Sequence, residues 1–68
     1  MKEENFNMSI RKFLKITGVG SQREIEQAVA RALTEGRLKG FERFPAKMTL
    51  SVPALGLQVD FEGEITLE

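Results

Sequence analysis

Sixty-eight residues carrying ten bases and ten acids, with no net charge, make one domain close to the size at which core burial only just offsets chain entropy. Hydrophobic residues at 41% and charged residues at 29% place the chain among foldable rather than disordered sequences. Without cysteine there is no disulfide framework, no apolar run reaches the roughly 18 residues of a membrane span, and acids in "MKEENFNMSI" stand where a secretory signal would be apolar, so a cytoplasmic protein is expected.

The first segment carries Phe6, Ile10, Phe13, Leu14 and Thr17 at spacings of three and four, one stripe of a helix over about 6–17. Asn5 or Asn7 is placed to cap it, and Arg11, Lys12 and Lys15 fall toward its C-terminal end, where cations suit the helix dipole. Gly18 reads as its terminator, since glycine takes the left-handed conformation at little cost. A second helix over about 22–35 is then expected to start at Ser21, whose hydroxyl would accept from the Glu24 amide while the Glu24 carboxylate reaches back. Ile25, Ala28, Val29, Ala32 and Leu33 form its narrow apolar stripe, and Gly36 closes it.

After "RLKGFERFP" the period changes to two. Phe44, Ala46, Met48, Leu50 and Val52 alternate with polar residues, as do Leu57, Val59, Phe61, Ile65 and Leu67, which predicts strands over about 46–52 and 57–67. "PALG" between them fits a hairpin loop, with Pro53 pre-set and Gly56 free to turn left-handed. Pairing Val52 with Leu57 sets Met48 opposite Phe61 among the expected core side chains. On the other face it sets Lys47 opposite Glu62 and Thr49 opposite Asp60. A slip of one residue would bury the acids, so the register is well specified.

The expected fold class is α+β in the order ααββ: a two-helix hairpin packed on one face of an antiparallel β-hairpin. The hairpin has two strands, with a short third over 38–41 left open.

The run "FNMSIRKFLKITGVGSQREIEQAVARALTEGRLKG", followed by "MTLSVPALGLQVDFEGEITLE", resembles a family of bacterial proteins of about this length classed as a domain of unknown function. The resemblance covers nearly the whole chain. It implies the α+β fold and a bacterial cytoplasmic setting, and it brings no activity, ligand or site residue with it.

Catalysis is not expected. The chain has no His, Cys, Tyr or Trp, which removes the commonest general bases, the thiol nucleophile and the soft metal ligands. Asp60, Glu62 and Glu64 recur at every second residue of one strand, about 6–7 Å apart, too far to converge on one cation. No cofactor or metal site is expected. "GVGS" lacks the third glycine of a dinucleotide fingerprint and the lysine of a P-loop, although free amides at a helix start beginning at Ser21 would still suit an anion.

The rival reading is a nucleic-acid-binding winged helix, with Arg11, Lys12, Lys15, Arg23 and Arg31 as a basic patch on phosphates. Against it, the position about six places after Gly18 holds Glu24 rather than an apolar residue. Acids also outnumber bases on the exposed side of the second helix, and the hairpin tip carries no base. The preferred reading is therefore a small non-enzymatic protein-interaction or regulatory module, with an unknown protein partner or self-association, and without membrane or metal. Its candidate interaction face is Lys47, Asp60, Glu62 and Glu64. Charge is segregated along the chain: all ten bases lie in residues 1–47 with six acids, while residues 48–68 hold four acids and no base, an arrangement able to steer a partner or a second copy.

Overall fold

The structure, a computed structural model, describes residues 1–68. The element order is one helix, α1 (Glu3–Thr34), then strand β1 (Arg43–Val52), a 3₁₀ turn (Pro53–Leu55) and strand β2 (Leu57–Thr66). The chain divides into two compact units, Met1–Arg37 and Leu38–Glu68.

Where two helices joined by a glycine turn are expected, a single helix of 32 residues runs without interruption. The order is αββ rather than ααββ, and the two-helix hairpin is not formed. Gly18 and Gly20 both lie inside α1, and neither has a positive φ. Each glycine costs a helix interior only about 0.8–1.0 kcal/mol relative to alanine, too little to break a helix whose flanking stripes agree in phase. They do agree: Leu14 to Ile25 and Thr17 to Ala28 are each about three helical turns apart, so both apolar runs lie along one continuous stripe.

The ends of α1 show which terminal signals held. The helix starts at Glu3, before Asn5 and Asn7, with Lys2 at the N-cap and no side-chain cap; Glu3 and Glu4 in the first turn supply negative charge where the dipole favours it. Its C-terminus closes as expected at Gly36, which adopts φ 78°. The Gly36 amide donates to the Leu33 carbonyl at 3.2 Å and the Arg37 amide to the Ala32 carbonyl at 2.9 Å, the paired bonds of a Schellman ending. Inside the helix, Ser9 Oγ donates to the Phe6 carbonyl at 2.7 Å and Thr17 Oγ1 to the Leu14 carbonyl at 3.1 Å, so both hydroxyls are satisfied locally. Ser21, expected as a cap, is an interior residue of the same helix.

In the second unit β1 and β2 pair antiparallel, with Val52 opposite Leu57, Leu50 opposite Val59, Met48 opposite Phe61, Lys47 opposite Glu62 and Phe44 opposite Ile65, the register read from the sequence. The loop is the expected one: Pro53 opens the 3₁₀ turn and Gly56, at φ 61°, closes it with its amide donating to the Pro53 carbonyl at 3.0 Å. Strand β1 begins three residues earlier than expected, at Arg43, and takes in Pro45. A two-stranded sheet leaves outward positions where a residue without an N–H is tolerated. At the far end, the Leu67 amide donates to the Glu42 carbonyl at 3.0 Å, just past the last ladder pair.

No strand forms over 38–41. The Glu42 carboxylate instead gathers that segment into a turn, accepting from the amides of Lys39 (2.7 Å), Gly40 (2.9 Å) and Phe41 (3.2 Å), with Gly40 at φ 112°.

Burial follows parity along β1, where Phe44, Ala46, Leu50 and Val52 are half-buried and the odd-numbered residues are exposed. Much of the expected core is not core: on the hairpin Leu57, Val59, Met48 and Phe61 are exposed, Met48 by 47% and Phe61 by 58%, and on the helix stripe so are Phe6, Ile10, Phe13, Leu14, Ile25 and Leu33. Ala32 is the one side chain classed as buried, at 6% exposure.

Candidate functional site

The hairpin carries the expected polar face. Lys47, Thr49, Asp60 and Glu62 are brought together by the pairing of Lys47 with Glu62 and of Thr49 with Asp60, and Glu64 lies two register positions beyond, opposite Pro45. Thr49 Oγ1 donates to Asp60 Oδ1 at 2.7 Å across the strands. All of these residues are exposed, so the face is a solvated row of acids with one lysine. The ion pair that forms lies elsewhere, between Arg37 and Glu35 at 2.6 Å; with both side chains more than half exposed it contributes little.

The expected basic patch is dispersed rather than gathered. Arg11, Lys12, Lys15, Arg23 and Arg31 all lie on α1, but at about 100° per residue their directions spread over more than half of the helix circumference, and Arg11 and Arg31 are about 30 Å apart along the axis. Arg11, Lys12 and Lys15 stay close together, while Arg23 and Arg31 do not join them. The winged-helix reading also has no turn to rest on, because Ile16 to Val29 is one stretch of helix.

Gly20 leaves an open hollow of about 350 Å³ on the helix surface, lined by Lys15, Ile16, Val19, Gly20 and Arg23. A phosphate cradle there would need free amides. Those of Gly18 to Ser21 lie in the helix interior, where they serve the helical ladder rather than a helix start. The hollow is therefore an apolar dent between two cations.

Reading the sequence missed Glu42, whose carboxylate is the structural centre of the 38–42 turn. Its pKa is held below the ordinary carboxylate range, chiefly by the Gly40 amide, with the Lys39 and Phe41 amides adding to the effect and partial burial opposing it. The signal available was "KGFE", a glycine two residues before an acid, in a segment where a short third strand was left open.

Many large apolar side chains lie at the surface. Phe6, Ile10, Phe13, Leu14 and Ile25 along the helix stripe all remain substantially exposed, as do Met48, Val59 and Phe61 on the hairpin. No helix of the chain is long and apolar enough to cross a membrane.

A helix followed by an antiparallel hairpin, each carrying exposed apolar side chains, defines a small αββ chain. Over residues 1–68 it matches a family of unknown function (DUF6494), and it belongs to that family. No curated protein and no solved structure matches it.

Proposed function

We propose that the chain is a non-enzymatic protein-interaction module whose apolar faces are completed by a protein partner. The observation that carries this reading is the burial pattern: Ala32 is the single buried side chain, while Phe6, Phe13, Leu14 and Phe61 stay about half exposed. Large apolar side chains left exposed, on the helix and separately on the hairpin, mark interaction sites in stable proteins. Residue types agree, since the chain lacks the imidazole, thiol and phenol groups that carry most proton-transfer and nucleophilic chemistry. The polar hairpin face carries Asp60, Glu62 and Glu64 against the single lysine Lys47, a net negative charge that favours orientation and encounter over affinity.

Photo-crosslinking in the native host tests this. A benzophenone side chain placed at Phe13, or separately at Phe61, is expected to give discrete protein adducts, with the same chain or another, whereas one placed at the solvated Gln58 is not. Adducts confined to nucleic acid or lipid, or equal adducts at all three positions, would overturn the proposal.

A further inference from the structure

We infer that the free edge of β2, over residues 60–66, takes up an extended segment of another protein that alternates basic and apolar residues; this rests on the interaction-module reading above. Which backbone groups each strand turns outward follows from one hydrogen bond. Glu42 and Leu67 stand one position beyond the register pair of Arg43 and Thr66, and the Leu67 amide donates to the Glu42 carbonyl, so theirs is a hydrogen-bonded pair. Hydrogen-bonded and non-hydrogen-bonded pairs alternate along an antiparallel ladder. Phe44 with Ile65, Ala46 with Gly63 and Met48 with Phe61 therefore bond across the sheet. Arg43, Pro45, Lys47 and Thr49 of β1, and Asp60, Glu62, Glu64 and Thr66 of β2, turn their backbone groups to the two outer edges.

The two edges differ. β1 presents Pro45, which has no N–H to donate, and Lys47, and both residue types keep an edge from recruiting another strand. β2 has neither, so each of its four outward residues keeps its amide. Residues 57–64 are all exposed, whereas the apolar positions of β1 are mostly half-buried. Side chains along this edge define the occupant. Asp60, Glu62 and Glu64 share the polar face, and the bases of that face, Arg43 and Lys47, both belong to β1, so the edge of β2 itself carries acids alone. On the other face Phe61 is exposed, and Gly63 leaves a gap in which an added Cβ meets nothing within 4 Å. An antiparallel strand with Lys or Arg opposite Glu62 and Glu64, and a large apolar residue opposite Gly63, matches both faces while it bonds to the outward amides. A second copy fits poorly. Two β2 edges paired about Glu62 would set Glu62 against itself and Asp60 against Glu64, like charges directly opposite. The outer edge of β1 offers Arg43 and Lys47, but Pro45 stands between them and breaks the ladder.

A short fluorescent peptide that alternates lysine and valine, with phenylalanine in place of the central valine, tests this on the full chain. The expected result is saturable binding by anisotropy, with the amides of Asp60, Glu62 and Glu64 gaining protection from hydrogen exchange. In the antiparallel pair the lysine amides face β2 and the apolar amides face away. N-methylation of the lysine amides is therefore expected to abolish binding, and N-methylation of the valine amides to leave it intact. Glu62→Gln/Glu64→Gln is expected to weaken binding several-fold with the amide spectrum of the hairpin otherwise unchanged. Binding indifferent to both methylations would reveal a purely ionic contact and overturn strand addition, and loss on methylating only the valine amides would overturn the antiparallel register. Failure of the unmodified peptide to bind would overturn the edge as a docking site; protein adducts from the benzophenone at Phe13 would then show that the module reading survives through another surface.

Discussion

At the scale of single residues, two side chains carry sharp consequences. Glu42 holds its turn as a carboxylate, accepting from the Lys39, Gly40 and Phe41 amides, and its pKa is lowered. A lowered folded-state pKa means that the stabilisation is present above the unfolded glutamate value and is lost as pH falls through the folded one. The amide proton shifts of Lys39 and Gly40 should follow one titration with its midpoint below the ordinary glutamate range, and Glu42→Gln should abolish it. A midpoint at or above that range would show that the turn does not depend on the charge. Gly20 tests the continuity of the helix. It has no positive φ, and a Cβ built there meets nothing within 4 Å, so Gly20→Ala should stabilise the chain by about 0.5–1 kcal/mol in chemical denaturation. A loss of comparable size would restore the glycine turn.

At the scale of elements, the hairpin was legible and the helix was not, for different physical reasons. Strand register has a period of two, and a one-residue slip would move Asp60 and Glu62 onto the apolar face, so the pairing of Met48 with Phe61 and Lys47 with Glu62 follows from parity and the Pro53 to Gly56 turn together. Gly18, Gly20 and Ser21 are local punctuation, and the same residues that mark a helix break also occur inside helices at modest cost. The decisive clue was non-local: the stripe from Phe6 to Thr17 and the stripe from Ile25 to Leu33 share one phase, which two helices joined by a turn have no reason to preserve. For the site, the polar face of the hairpin was legible because it follows from register, whereas the basic residues were grouped by sequence proximity and the helix separates them. The hairpin makes its own prediction through two glycines of opposite kind. Gly56 sits at φ 61°, and Gly63 lies within β2 opposite Ala46 without a positive φ. Gly56→Ala should destabilise the hairpin by about 1–2 kcal/mol, because a Cβ in the left-handed region crowds the following carbonyl. Gly63→Ala should be neutral or stabilising by up to about 1 kcal/mol, since it reduces the freedom of the unfolded chain. Equal losses at both positions, measured by urea unfolding, would mean that the turn geometry does not govern the pair.

At the scale of the whole molecule, the exposed apolar surface links stability to concentration. Isolated helices draw most of their stability from packing of an apolar face, and a two-stranded hairpin alone is marginal in water. With Ala32 the one buried side chain and Phe6, Phe13, Leu14 and Phe61 open, neither unit has the burial that would make it stable by itself, so association should supply a large part of the folding free energy by mass action. In a dimer that unfolds to separate chains, a tenfold rise in concentration adds about 1.4 kcal/mol. A domain of this size gains about 4–8 °C in midpoint per kcal/mol. The thermal midpoint followed by circular dichroism should therefore climb by several degrees for each tenfold increase in chain concentration. A midpoint independent of concentration would mean that the chain is stable as a monomer, which its exposed Phe13 and Leu14 do not lead one to expect.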